Sequence, residues 1–168
     1  MEVRRLVRVV YHKRKKYYLI TPCVTICENH FGYAMPVTTI EASASYDVLY
    51  DAIIDVMEKD CRLPNKDEDG WIENDDPPEK RFSRAYFRQD FKKKFGYYYG
   101  SLVQTATSII LMELLSDGSY VFEMWSVDGM SKERMVCPAE SSRDEIIQTL
   151  SKALKQSEDN RAARPKYY

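Results

Sequence analysis

The residues best suited to chemistry by type are Cys23, Cys27 and His30, whose side chains are of the kinds that bind zinc. They lie in a stretch rich in β-branched and aromatic residues, which predicts a strand. In an extended strand the two cysteines are about 13 Å apart, too far to share one ion unless Pro22 or a bulge folds the segment. The chain also has no Cys-x-x-Cys pair. We therefore predict no metal site and no cofactor.

Catalysis by acid–base or nucleophilic chemistry has few candidates. The chain has two histidines, His12 and His30. His12 lies in a basic turn, where positive neighbours lower its pKa, and nothing in the local sequence orients it. The patterns of a nucleophile elbow, a P-loop and a dinucleotide-binding loop are all missing from the sequence. We therefore expect a protein that is not an enzyme.

The strongest signal is a reversal of charge in the middle of the chain. Residues 58–79 contain nine acids and three bases, so their net charge is 3 − 9 = −6. Residues 80–94 contain seven bases and one acid, so their net charge is 7 − 1 = +6. The chain as a whole has a net charge of −1, which hides the reversal. Asymmetry of this kind indicates charged partners and says little about fold.

The acidic part is predicted to be a loop over residues 62–79, because it has no periodicity and contains three prolines and Gly70. A solvated connector is the commonest structure of such a run. Trp71, set among acids, instead suits an anchor for a basic partner that the acids would steer into place. Substrate clefts of nucleases are basic partners of this kind. The predicted partner-binding residues are Asp67, Glu68, Asp69, Trp71, Glu73, Asp75 and Asp76.

The basic part predicts a helix over residues 82–95, with Phe87, Phe91 and Phe95 on one face. Its bases could neutralise phosphates while its rings stack on nucleobases. The residues predicted to bind nucleic acid in this alternative are Arg84, Arg88, Lys92, Lys93 and Lys94. A simpler interpretation places the rings in the core and the bases in solvent. We prefer it because the pI of the chain is 6.2, whereas nucleic-acid modules are usually basic as a whole.

The remaining pattern predicts an α+β fold, in which a mostly antiparallel sheet carries amphipathic helices packed on one face. The predicted strands are residues 3–11, 17–27, 36–42, 101–115 (as one strand or two), 120–127 and 134–137. The Asp117-Gly118 pair predicts a tight hairpin turn. One domain over residues 1–157, with the acidic loop inserted, and a flexible tail over residues 158–168 complete the predicted organisation.

Two further helices have similar sequences. The first spans residues 43–60, is capped by Ser43 or Ser45, and has an apolar stripe of Val48, Leu49, Ala52, Ile53, Val56 and Met57. The second follows a capping box from Ser142 to Glu145 and has a stripe of Ile146, Ile147, Leu150, Ala153 and Leu154. The two stripes match at an offset of 98 residues, which indicates a possible degenerate duplication, although any two amphipathic helices look alike.

Location is predicted from what the N-terminus and the cysteines indicate. The first residues are charged and do not form a signal peptide, and no run reaches the ~18–20 apolar residues of a membrane span. We therefore expect a cytoplasmic protein that does not associate with membranes and has reduced thiols. The cysteines are Cys23, Cys27, Cys61 and Cys137.

With these features together, the chain resembles the small immunity proteins of bacterial toxin systems, particularly those of contact-dependent growth inhibition. The resemblance is architectural and spreads over most of the chain. It is carried by Tyr17-Tyr18-Leu19-Ile20-Thr21-Pro22, by Thr39-Ile40-Glu41-Ala42 leading into residues 48–57, by residues 86–95 and by residues 141–154. It implies a cytosolic protein without catalytic activity or small-molecule substrate, which binds and blocks a cognate toxin domain, often a nuclease.

Overall fold

The computed structural model of the chain describes residues 5–27, 30–64, 85–125 and 132–163. These residues form seven strands and four helices, in the order of four strands, three helices, three strands and a last helix. The strands are β1 (Arg5–His12), β2 (Tyr17–Cys27), β3 (His30–Tyr33), β4 (Thr38–Glu41), β5 (Ser108–Leu114), β6 (Tyr120–Trp125) and β7 (Lys132–Cys137). The helices are α1 (Tyr46–Lys59), α2 (Ala85–Phe95), α3 (Tyr99–Thr105) and α4 (Arg143–Ala162).

All seven strands belong to one sheet in the order β3-β2-β1-β5-β6-β7, and β4 also pairs with β2. Every described pairing is antiparallel, which confirms the predicted α+β fold class. β4 pairs with the first half of β2 and β3 with the second half. Pro22 lies at the change of partner, where its carbonyl accepts a hydrogen bond from Ala34 and its missing N–H breaks no ladder.

Helices cover both faces of this sheet. The predicted amphipathic helices α1 and α4 do share one face, where their side chains pack on Val7, Val9 and Ile110. α2 and α3 pack on the opposite face, against Val10 and Ile109. Because the pleat alternates, neighbouring residues of β1 enter different cores. The sequence predicted helices packed on one face of the sheet, whereas both faces are covered, and Arg8 on the second face is only 6% exposed.

The cap of the first amphipathic helix lies two residues after Ser43, the earlier of its two predicted caps. Ser45 is the N-cap, and its hydroxyl accepts from the Val48 amide at 3.3 Å. Leu49, Ile53, Val56 and Met57 are buried as predicted. Val48 was placed in the same stripe, but it is 51% exposed. The reason is its position on the helix: Val48 lies on the side of Asp47 and Asp51, not over the sheet.

The last helix has the predicted capping box, with Ser142 and Glu145 bonded reciprocally. It extends to Ala162, past the end of the core domain predicted at residue 157. The two N-caps, Ser45 and Ser142, are separated by 142 − 45 = 97 residues. At this offset four of the five buried residues of α1 fall on buried residues of α4: Leu49 on Ile146, Ile53 on Leu150, Val56 on Ala153, and Met57 on Leu154.

The offset of 97 therefore aligns the two helices better than the predicted 98. The strands follow the same plan, because β1 and β5 pair at the centre and each is followed by a hairpin to the next strand outward. The hairpin after β5 contains the predicted Asp117-Gly118 turn, in which Gly118 has φ +87°. In each half, strands lead into a serine-capped helix on the same face of the sheet.

The prediction of strand structure over residues 101–115 is wrong in its first part. Residues 101–105 belong to α3, and only residues 108–114 form β5. Arg161 of α4 stabilises this short helix by donating to the carbonyls of Val103 and Ala106 at its C-terminal end, at 3.0 and 2.8 Å. This contact lies 55 residues or more away in sequence, so local pattern gives no sign of it.

Candidate functional site

The acidic segment predicted to bind a partner lies outside the described residues. This holds for every predicted position: Asp67, Glu68, Asp69, Trp71, Glu73, Asp75 and Asp76, and for Arg84 of the alternative site. The helix that precedes the segment is described, and its outer face is acidic. Asp47, Asp51, Asp55 and Glu58 are all exposed there. The negative charge of the segment thus continues onto the surface of α1.

Most of this acidic face is engaged in ion pairs. Arg143, the first residue of α4, donates to Asp47 and Asp51 at 2.6 and 2.8 Å and so links α1 to α4. Lys59 lies 2.5 Å from Asp55 one turn away. Val48, in the first turn of α1 next to Asp47, is an exposed apolar residue. An exposed aliphatic side chain beside acids is a suitable contact for a basic protein surface.

The basic helix α2 has its aromatic rings turned into the protein. Phe87 and Phe91 are buried, and the rings of both lie 5.0 Å from that of Tyr99 between ring centres. The bases Arg88, Lys92, Lys93 and Lys94 are exposed. The buried rings are not free to stack on nucleobases, so α2 itself matches the simpler interpretation, with its rings in the core and its bases in solvent.

A different set of rings is exposed beside these bases. The Lys92 ammonium donates to the Tyr98 hydroxyl at 2.9 Å, and Tyr98 is 55% exposed. This cation lowers the pKa of the Tyr98 hydroxyl. Lys15, from the turn between β1 and β2, lies 3.9 Å from the centre of the Tyr97 ring. We call Lys15, Lys92, Tyr97 and Tyr98 the lysine–tyrosine surface, which has the cations and the ring faces that single-stranded nucleic acids require.

His12 is oriented, contrary to the expectation from the local sequence. It is 4% exposed, and its Nε2 lies 3.1 Å from the Thr105 hydroxyl. That hydroxyl donates to the Ser101 carbonyl at 2.9 Å, so it accepts from His12, and Nε2 carries the proton. Burial, then the charges of Lys15 and Arg14, lower the pKa of His12 and keep the ring neutral at pH 7.

The surroundings of His12 do not suggest acid–base catalysis. It lines a cavity of about 380 Å³ together with Lys13, Arg14, Thr105 and Thr107. None of these lining residues is a carboxylate that could hold the ring as an imidazolium. Contacts with α3, which are remote in sequence, supply the Thr105 partner and could not be predicted from the basic turn.

The cysteines are small buried groups where the structure describes them. Cys23, Cys61 and Cys137 are buried thiols, and the Cys61 thiol donates to the Leu6 carbonyl at 3.2 Å. Cys27 and His30 are register partners at the start of β3. Within residues 5–27, 30–64, 85–125 and 132–163, no group of three or more His, Cys, Asp or Glu residues is arranged to hold a metal ion.

Comparison with known proteins gives likeness in fold only. No family model and no curated protein matches the chain. A protein of unknown function from Neisseria meningitidis superposes with a TM-score of 0.61 at 10% identity, over 90% of this chain and 93% of that one. A chain of the CdiA-CT/CdiI toxin and immunity complex from Yersinia pseudotuberculosis superposes with a TM-score of 0.51 at 12% identity, over 90% of this chain and 95% of that one.

The described helices give no sign of a membrane-spanning segment. None of them combines the length and the apolar character needed to cross a bilayer.

Proposed function

We propose that this chain is an immunity protein that binds a cognate toxin domain and blocks its active site. The observation that carries the proposal is the shared fold with a chain of the CdiA-CT/CdiI toxin and immunity complex, which extends over nine-tenths of both chains. The sequence resemblance to immunity proteins of contact-dependent growth inhibition supports it independently. In this account the protein acts in the cytoplasm by binding, without catalysis of its own.

The partner is a basic domain, and a nuclease fits best. Nucleases bind a polyanion, so their clefts present Lys and Arg that an acidic protein surface can occupy in place of the substrate. Asp67, Glu68, Asp69, Glu73, Asp75 and Asp76 supply that charge, and Trp71 supplies a large apolar anchor at the centre. Blockade needs only a stable complex over the cleft, which sets no requirement for a catalytic group in the inhibitor.

The described surface adds to this interface. The acids of α1 lead directly into the acidic segment, and Val48 is exposed beside Asp47. Because Asp47, Asp51 and Asp55 already pair with Arg143 and Lys59, most of their charge is cancelled locally and they add little to the attraction of a basic partner. The proposed contacts of short range therefore lie in the segment itself.

Affinity capture tests the proposal. The tagged chain is recovered from its native cells, treated with nuclease before washing, and the bound proteins are identified by mass spectrometry. A stoichiometric complex with one basic domain of a secreted protein is the expected result. Loss of all partners on nuclease treatment would contradict it. A variant with Trp71→Ala and Asp75→Lys is the matched control, because it should fold normally and recover less of the same domain.

The second candidate is an accessory protein that binds RNA or DNA. The lysine–tyrosine surface favours it, since Tyr98 is exposed and paired with Lys92. Arg84, Arg88, Lys93 and Lys94 would extend the contact to further phosphates. Retention on heparin or RNA that falls steeply with salt, and that is lost in a Lys92→Ala, Tyr98→Ala variant, would support this function over the first.

A further inference from the structure

Arg8 is a charged side chain inside the protein. It lies at the centre of β1, between β2 and β5, opposite Thr21 and Leu111 in the two ladders. Only 6% of the residue is exposed. An arginine remains protonated at all physiological pH values, so a full positive charge is buried in the sheet. Burying a charge without an opposite charge is costly, so a buried arginine ordinarily has an anionic partner.

The described partners of Arg8 are neutral. Its guanidinium lies 4.3 Å from the centre of the Tyr33 ring and 4.8 Å from that of Trp125, and these contacts are with ring faces. Tyr99 is within hydrogen-bonding reach of the same group, and its hydroxyl donates onward to Thr21 at 3.3 Å. Burial raises the pKa of Tyr99, so that hydroxyl is uncharged. In the part of the chain that the structure describes, the buried Nε of Arg8 has no hydrogen-bond acceptor.

A cavity adjoins this group. It has a volume of about 160 Å³, and Arg8, Tyr33, Phe87 and Val103 are among the residues that line it. The exposed Arg88 of α2 lines it too, so a second basic residue borders the same space. Cavities of about 150 Å³ hold a ligand the size of benzene. The combination is a small, partly open cavity with a mixed polar and apolar lining and a buried planar cation in its wall.

We propose that this cavity binds a carboxylate with a small apolar body, which neutralises Arg8 and is held at the opening by Arg88. A guanidinium offers its N–H groups in one plane, and a carboxylate matches that plane with two oxygens. The two flanking rings leave only the edge of the Arg8 guanidinium for such a contact. Phe87 and Val103 form apolar wall, where a ring or short aliphatic chain replaces water. This inference stands apart from the proposed function.

Benzoate is the direct probe, with benzamide as its uncharged analogue of the same shape and inorganic phosphate as a tetrahedral anion. Binding to the full chain is measured by calorimetry and by the fluorescence of Trp125 in a Trp71→Phe background. We expect benzoate to bind at least tenfold more tightly than either of the other probes. Equal affinity for benzamide, tighter binding of phosphate, or no binding of benzoate would overturn the proposal.

Two variants locate the site without removing the buried charge. Gly100 lines the cavity, and a Cβ at this position would meet nothing within 4 Å, so Gly100→Leu fills the space and should abolish benzoate binding. Arg88→Ala should weaken binding several-fold. Lys152→Ala, which removes an exposed base on α4 that is not among the lining residues, is the control and should bind as the parent does. Parental affinity in the Gly100→Leu variant, with its fold intact by circular dichroism, would refute the assignment of the cavity.

The carboxylate can belong to a free organic acid or to an acidic side chain of a bound protein. In the first case, the protein is purified from its native cells without dialysis and is then denatured. It should release a small acid that mass spectrometry detects. In the second case benzoate competes with the protein captured from those cells, and Gly100→Leu reduces that capture. If neither result is obtained and benzoate does not bind, Arg8 is a purely structural residue and the inference is contradicted.

Discussion

The hydroxyl of Ser157 is bonded to both backbone groups of Ile109. It accepts from the Ile109 amide at 2.9 Å and donates to the Ile109 carbonyl at 2.9 Å. The pairing of β5 with β6 ends at Ile110 and Met124, and Ile109 lies just beyond it. There the side chain of Ser157, from α4, supplies the hydrogen bonds that a residue of β6 would otherwise make. Ser157 is fully buried. This contact holds α4 against β5 one residue before the predicted flexible tail begins.

Ser157→Ala should lower the free energy of unfolding by about 1–3 kcal/mol, because it leaves a buried amide and a buried carbonyl without partners. Urea denaturation of the variant and the parent gives the difference. Ser151→Ala in the same helix is the matched control, with an expected change within about 0.5 kcal/mol. Equal effects of the two substitutions would show that the Ser157 contact adds nothing to stability.

Val48 and Leu49 are adjacent in sequence and differ in burial. Leu49→Ala should destabilise the protein by about 2–5 kcal/mol, because it opens a cavity in the core under α1. Val48→Ala should change stability by less than about 0.5 kcal/mol, since the side chain is in solvent. The pair also tests the offset of 97 between the two helices: an offset of 98 would make Val48 a core residue, and the two substitutions would then have comparable costs.

The buried His12 predicts how stability changes with pH. Its pKa is lowered in the folded protein, whereas the unfolded chain titrates near the ordinary value of about 6.5. As the pH falls through that value the unfolded state binds a proton and the folded state does not, so the free energy of unfolding decreases. Between pH 7.5 and 5.5 the parent should lose more stability than a His12→Gln variant, which keeps an N–H donor for Thr105. Parallel pH profiles of the two proteins would show that His12 titrates alike in both states.

The sequence predicts best those features that depend on neighbours along the chain. Both serine caps, the Asp117-Gly118 turn and the antiparallel strands are of this kind, because each follows from bonds within a few residues. Helix α3 and the orientation of His12 depend on Arg161 and Thr105, which are distant in sequence and give no local signal. Arg8 had a signal that could be recognised afterwards: it lies inside the apolar run Leu6-Val7-Arg8-Val9-Val10, which both neighbouring strands cover.

The candidate site is a different case. Charge and the presence of Trp71 define the acidic segment from the sequence, but charge alone does not specify which side chains contact a partner. The predicted contacts 67–76 lie outside the described residues and remain a hypothesis. For α2 the structure agrees with the interpretation preferred from the sequence, because Lys92 and Lys93 are exposed whereas Phe87 and Phe91 are buried.

Trp71 and Tyr98 distinguish the two proposed functions. If the acidic segment binds the captured toxin domain, Trp71→Ala should weaken the complex by about 2 kcal/mol, or about 30-fold in Kd. Tyr98→Ala should leave the same affinity unchanged, because Tyr98 belongs to the lysine–tyrosine surface. Surface plasmon resonance with the captured domain measures both. The opposite pattern, with Tyr98 sensitive and Trp71 silent, would move the interface to the basic side of the molecule.

Charge reversal at Asp75 and Asp76 should act mainly on the rate of association. The parent should associate more slowly as salt is raised, and the double lysine variant should be slower at low salt with a flatter dependence. Stopped-flow mixing with the captured domain at several salt concentrations gives the rates. Asp90→Lys, which changes an exposed acid on α2, is the control for net charge. A rate in the parent that does not depend on salt would remove electrostatic steering from the account.

Growth of cells that produce the captured domain tests the central claim most directly. The domain is expressed alone, with this chain, and with the Trp71→Ala, Asp75→Lys variant, at matched protein levels. The account predicts arrested growth with the domain alone, full growth with the parent chain, and weaker protection by the variant. Arrest that persists in the presence of the parent chain, despite a stable complex between the two proteins, would contradict an immunity function.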